Sequence, residues 1–157
     1  MKKILLGSAL ISSCLMVAVT ANAQQAQSEK HANRATELRQ SLFSLLGSNM
    51  APLGAMAKGK MPIDKAAIEK HATRINQLSL MINDYTKTDT SKFKVDTEAL
   101  EEVWSKRAAF EKRTDDLTSA SANLIKVVST GKEGEIKKAI GGIGKTCGGC
   151  HDDFKAD

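Results

Sequence analysis

Aromatic side chains are scarce, with four Phe, one Trp and one Tyr in 157 residues, and no stretch alternates polar with β-branched or aromatic residues. An all-β architecture has nothing here to build its sheets from. Excess charge of one sign is also missing: 23 Lys plus Arg stand against 18 Asp plus Glu. Such a balance leaves no basic footprint for nucleic acid. Cysteine occurs three times and histidine three times, with no second Cys pair and no His-x-x-x-His spacing to complete a four-ligand zinc site.

The one long apolar run is at the N-terminus. Lys2 and Lys3 precede a mostly apolar stretch from Ile4 to Val19, and Ala21-Asn22-Ala23 supplies the small-x-small pattern of a signal-peptidase site. Residues 1–23 are expected to be a cleaved signal peptide and residues 24–157 the mature domain, exported to the periplasm. A retained membrane anchor fits less well, because Gly7, Ser8, Ser12 and Ser13 interrupt a run already marginal for about 30 Å of hydrocarbon. Ile11-Ser12-Ser13-Cys14 faintly resembles a lipoprotein cleavage box, but cutting there would leave apolar Leu15–Val19 on the product. Removing Lys2 and Lys3 takes the 23 basic residues to 21 against 18 acids, a net charge of +3. It also discards Cys14, so both remaining cysteines lie in one pentapeptide.

That pentapeptide is Cys147-Gly148-Gly149-Cys150-His151. Two thiols and an imidazole at this spacing are the attachment signature of a c-type haem. On a helix, residues three and four apart share a face. The thiols can then form thioethers to the two vinyl groups while the imidazole serves as axial iron ligand. A zinc site would need ligands that His31 and His71 are too distant to supply, and a Cys-x-x-Cys redox motif normally follows a strand. Export to an oxidising compartment with no cysteine left for a structural disulfide is explained if both thiols are consumed by haem.

Four stretches show helical periodicity. The first spans about Ser28 to Ala57, with Leu38, Leu42 and Leu45 on one stripe and Phe43, Leu46, Met50 and Leu53 on the next. Pro52 should kink it or shift its last turn, and Gly59 should close it. The second runs from Asp64 to Asn83 with Ile68, Ile75, Leu78 and Ile82 inward; His71 on that stripe reads as a packed residue. Residues 84–96 form the one long connection. The third helix is expected to start near Thr97 as cap and to carry Val103, Trp104, Phe110, Leu117 and Leu124 on to Val128. Thr130-Gly131-Lys132-Glu133 offers a capping box to the fourth, whose stripe is Ile136, Ile140, Ile143, Cys147, Cys150 and Phe154. Five glycines in that helix each cost roughly 0.8–1.0 kcal/mol relative to Ala, and are expected to let a macrocycle approach its backbone. The fold class is therefore all-α, an antiparallel up-down-up-down four-helix bundle with covalently bound haem.

A haem motif near the C-terminus of a four-helix chain resembles the cytochrome c′ family. Leu38-Arg39-Gln40-Ser41, Gly54-Ala55-Met56-Ala57-Lys58-Gly59 and Val103-Trp104 match the family in that order, and the resemblance covers essentially the whole mature chain. It implies one haem c per chain, held covalently by Cys147 and Cys150, with His151 as the axial ligand to a five-coordinate, high-spin iron. It further implies Arg39 and Gln40 near the haem propionates, Phe43 blocking the distal face, and a homodimer through the first two helices. Lys155 stands where many members carry an arginine, keeping the charge but not the planar fork.

The expected function is a periplasmic haem protein that binds small diatomic gases such as NO and CO and is capable of one-electron transfer. The redox partner is undefined, and neither nucleic acid nor, after signal cleavage, a membrane is expected as a partner. Low-spin relatives of this fold place a methionine at about the position of Phe43, so the alternative is an electron-transfer cytochrome with a second axial ligand. Met50, seven residues on and about 10.5 Å along the axis, reads as core. A haem enzyme is disfavoured because no distal acid or base is visible beside Phe43.

Overall fold

The computed structural model describes residues 23–156. The expected signal peptide falls, except for Ala23, outside the described residues. Among them no helix is long and apolar enough to cross a membrane.

Helix α1 (Glu29–Ala57) begins at Ser28, whose hydroxyl accepts from the His31 amide at 3.2 Å, an N-cap on the first turn. Pro52 lies inside without ending it. The carbonyl of Ser48 that loses its donor sits on an exposed turn, where water can serve it. The helix stops where Gly59 turns to φ 70°. The Gly59 amide donates to Met56 O at 3.1 Å and the Lys60 amide to Ala55 O at 2.9 Å, the two bonds of a Schellman ending. Helix α2 (Lys65–Thr86) is capped by Asp64, which accepts from the Ala67 amide at 3.0 Å.

The third helical segment departs from expectation. A four-residue α3 (Glu102–Ser105) is followed by a break at Lys106 and then by α4 (Arg107–Thr130). Thr97 caps no helix: its hydroxyl accepts from the Ala99 amide at 3.1 Å. The backbone nearby is extended instead, with the Leu100 amide on Phe154 O at 3.0 Å and the Ala156 amide on Glu98 O at 2.8 Å. Pairing with the chain end uses donors that a helix would need, which is why helix waits until residue 102. The break at Lys106 lets two side chains reach the end of α2. Trp104 Nε1 donates to Thr86 O at 3.0 Å, and Arg107 forks onto the Thr86 hydroxyl at 3.0 Å and Asn83 O at 3.1 Å.

Gly131, at φ 72°, ends α4 as expected, but the capping box does not form. Lys132 occupies the N-cap of α5 (Glu133–Phe154), without a side-chain cap. A short parallel pairing of β1 (Gln24–Gln25) with β2 (Thr88–Asp89), unforeseen in the sequence, ties the N-terminal segment to the α2–α3 connection.

Helices α1, α2, α4 and α5 pack in a ring, each against its two neighbours. This is the antiparallel bundle expected of four helices alternating in direction. Its core is Leu53, Ile68, Ile75, Leu124, Ile136, Ile140 and Ile143, all fully buried. Leu45, assigned to the inward stripe, is 53% exposed because burial follows Leu42, Leu46, Asn49 and Leu53 around α1. Helices α2 and α4 meet along a polar seam rather than an aliphatic one. Asn76 pairs with Ser121 at 3.1 Å, Ser79 with Thr118 at 2.8 Å and Asn83 with Thr114 at 3.3 Å, each step moving one turn up one helix and down the other. A seam whose hydrogen bonds are met in one register only fixes the alignment of the two helices.

Candidate functional site

A cavity of about 840 Å³ opens between the four helices at the end of the bundle where α5 finishes. All six residues singled out from the sequence, Arg39, Gln40, Phe43, Cys147, Cys150 and His151, lie on its wall. The period of α5 explains the second group: Ile136, Ile140 and Ile143 continue into the half-buried Cys147 and Cys150 and end at buried Phe154. Phe154 meets Phe110 edge to face, with ring centroids 5.1 Å apart, both rings on the cavity wall.

Burial pushes the Cys150 thiol up to about 11, while the nearby Arg113 cation acts the other way. The Cys147 thiol is also raised by burial. Both are protonated at neutral pH within the folded chain and are poor nucleophiles there.

The register between α1 and α5 relates the two walls. The Met50 methyl lies 3.7 Å from where a Cβ on Gly144 would stand. The two helices run antiparallel, so seven residues back along α1 and seven forward along α5 bring Phe43 and His151 to one level. Met50 is removed from that level by about 10.5 Å.

Arg39 is 3% exposed, and burial lowers its pKa from the ordinary arginine value. Its Nη2 donates to Thr97 Oγ1 at 3.1 Å and to Thr36 Oγ1 at 3.3 Å, and the guanidinium stacks 5.3 Å from the Trp104 ring centroid. Its Nη1 is buried without a partner, and no carboxylate pairs with the cation among the described residues. A buried donor of this kind calls for an acceptor, preferably anionic, from whatever fills the cavity. A haem carboxylate would meet that demand. Gln40 Nε2 donates to Asp96 O at 2.9 Å on the same rim.

Several wall residues were not legible in the sequence. Thr97 read as a cap, yet it receives Arg39. Arg113 reaches from α4 to the last turn of α5, donating through Nε at 3.0 Å and Nη2 at 2.7 Å to Asp153 Oδ2. Its only sequence signal is its place three residues after Phe110, at the edge of the buried stripe. Lys155 is paired with Glu98 at 3.0 Å. His71 is a packed residue away from the cavity, with Nδ1 2.9 Å from Asn49 Oδ1.

The glycines of α5 do not have the role expected of them. None lies on the cavity wall. Gly149 faces Arg113 and Gly144 faces Met50, whereas nothing in the structure accounts for the missing side chains of Gly141, Gly142 and Gly148. The glycine that does line the cavity is Gly47 on α1.

Known proteins of the same design have been described. The family profile for Cytochrome C′ matches residues 34–155. The chain is 36% identical over 121 residues to a cytochrome c′ of Rubrivivax gelatinosus, covering 77% of this chain and 93% of that one. It is 33% identical over 130 residues to a cytochrome c′ of Halomonas halodenitrificans, covering 78% and 96%. Among solved structures, cytochrome c prime from Shewanella frigidimarina superposes with a TM-score of 0.73 at 32% identity, covering 83% of this chain and 98% of that one. On the family match, these identities and the shared fold, the chain belongs to the cytochrome c′ family, four-helix-bundle proteins carrying one covalently bound haem c per chain.

Proposed function

We propose that this c-type haem protein works in the periplasm as a high-spin binder of small neutral diatomics such as NO and CO, able also to pass single electrons, and that it is not an enzyme. Cys147 and Cys150 hold the macrocycle by thioethers and His151 is the only protein ligand to iron. Arg39 and Gln40 face the propionates, the unpaired Nη1 of Arg39 meeting one of them. The observation that carries this reading is Phe43, which shares the cavity and the level of His151 and has no lone pair to donate. With no strong donor opposite the imidazole, iron keeps a position for an exogenous ligand.

The apolar phenyl favours diatomics that need no hydrogen bond and disfavours storage of polarised dioxygen. It must also move before a ligand binds, at a free-energy cost that a smaller side chain avoids. Phe43→Ala should therefore raise carbon monoxide affinity of the ferrous protein by roughly tenfold or more, about 1.4 kcal/mol. Circular dichroism would confirm that the bundle survives. Unchanged affinity and association rate in a folded variant would remove Phe43 from the distal face.

Periplasmic export rests on the leader-like residues 1–23. A homodimer through α1 and α2 is supported by exposed apolar side chains on those helices, Leu45, Leu80 and Met81, which a second copy would cover. Analytical ultracentrifugation should give twice the chain mass; a monomer at tens of micromolar would refute the dimer.

A further inference from the structure

We propose that diatomic ligands reach the distal side of the cavity through a gap between α1 and α5 whose width is set by Gly47. This inference rests on the reading of the cavity as a haem pocket with Phe43 on its distal face. Gly47 and its neighbour Ala51 line the cavity and are at the same time exposed, so both stand at a mouth rather than at a closed wall. The α1–α5 side is the most loosely packed of the four sides of the bundle. Gly47 lies one turn on from Phe43 and on the same face of α1, next to Met50, so this mouth opens directly beside the distal position.

Packing gives no reason for a glycine there. A Cβ built on Gly47 meets nothing within 4 Å, and its φ is an ordinary helical one. Inside a helix glycine is roughly 0.8–1.0 kcal/mol less favourable than alanine. Gly54, Gly141, Gly142 and Gly148 carry the same cost with equally open surroundings, but Gly47 alone lines the cavity. The other rim of the cavity, where Gln40, Asp96, Glu98 and Lys155 are also exposed, is polar and charged and is bridged by hydrogen bonds. Gln40 is bonded to Asp96 O at 2.9 Å, Lys155 to Glu98 at 3.0 Å, and Ala99 bridges to Lys155. An uncharged diatomic has no attraction to that rim, whereas the gap at Gly47 is lined by methyl, thioether and backbone.

A portal and a binding contact leave different kinetic signatures. Narrowing a portal slows passage both ways by one factor and leaves affinity unchanged, whereas altering the bound state changes the ratio of the two rates. The test uses the holoprotein with Gly47→Ala and Gly47→Leu, reduced, with carbon monoxide as probe. Both rates would be measured by stopped flow and flash photolysis, in wild-type and Phe43→Ala backgrounds so that ring displacement does not mask the gap. Gly47→Leu should slow association and dissociation together by about tenfold or more in at least one background, with Gly47→Ala smaller in effect and the resting spectrum unchanged. Rates within twofold of the parent in both backgrounds would overturn the portal. So would a changed affinity or a shifted spectrum, either of which would make Gly47 a haem-seating residue. Failure of the wild-type ferrous protein to bind carbon monoxide at all would refute the haem-pocket reading itself, and the portal with it.

Discussion

A Cys147→Ala, Cys150→Ala double variant is expected to lose covalent haem and, with it, the cooperative folded bundle. Two features make the effect large. Helix α5 contains Gly141, Gly142, Gly144, Gly148 and Gly149 between Ile136 and Phe154, and each lowers helix stability by roughly 0.8–1.0 kcal/mol relative to alanine. The cavity its inner face helps to enclose is about 840 Å³. Without haem, apolar wall residues such as Phe43, Leu46 and Ile143 lose the contact that fills this space, at roughly 25 cal/mol per Å² of apolar surface left uncovered. Water can enter and soften this penalty, but it cannot replace the apolar contact of a porphyrin. Far-ultraviolet circular dichroism and thermal melting of the double variant should therefore show a partly helical chain without a sharp transition. In the wild type, haem should stay attached after denaturation in acid and organic solvent, and the intact mass should equal the chain plus one haem. A native-like apo bundle with a cooperative melt would contradict the structural role given to haem.

Phe43→Met should convert the iron from high-spin to predominantly low-spin. Phe43 and His151 line the same cavity at one level, so under the distal role proposed for Phe43 a thioether substituted there would face the iron. Methionine is unbranched and flexible, and can adjust its length to the coordination distance. A methionine-to-iron charge-transfer band should appear in the ferric spectrum, and the affinity for carbon monoxide should fall because an internal ligand must now be displaced. Met50, also on the cavity wall, lies against Gly144 about 10.5 Å further along α1, away from the level of His151. A Phe43→Met protein that keeps its high-spin spectrum and remains folded would show that residue 43 does not face the iron.

The parts of this molecule that are local in sequence were legible in it. The 3.6-residue period placed Ile136, Ile140, Ile143, Cys147, Cys150 and Phe154 on the inward face of α5, and all line the core or the cavity. Gly59 and Gly131 were read as stops because only a positive φ ends a helix in that way, and both adopt one. Arg39, Gln40 and Phe43 came from family resemblance alone, since the period of α1 says which way a residue faces but not what stands opposite. Their meeting with His151 is a property of the α1–α5 register, set by long-range packing.

The misreadings share that cause. Thr97 followed by acids has the local chemistry of a helix cap, but the segment pairs with Phe154 and Ala156 at the far end of the chain. Asn76, Ser79 and Asn83 dilute the apolar stripe of α2, and only their partners Ser121, Thr118 and Thr114 on α4 make them a seam. Glycines were assigned to the haem on α5, where they are numerous, although the one on the cavity wall is Gly47 of α1. Number drew attention to the wrong helix, because the consequence of a missing side chain depends on the space beside it.

Electron paramagnetic resonance of the purified ferric protein at neutral pH tests most directly whether His151 is the only strong ligand from the chain. A predominantly high-spin signal, which Phe43→Met converts to low-spin, is the expected result. A predominantly low-spin signal in the wild type, accompanied by a methionine-to-iron charge-transfer band, would contradict five-coordination and identify the protein as a dedicated electron carrier.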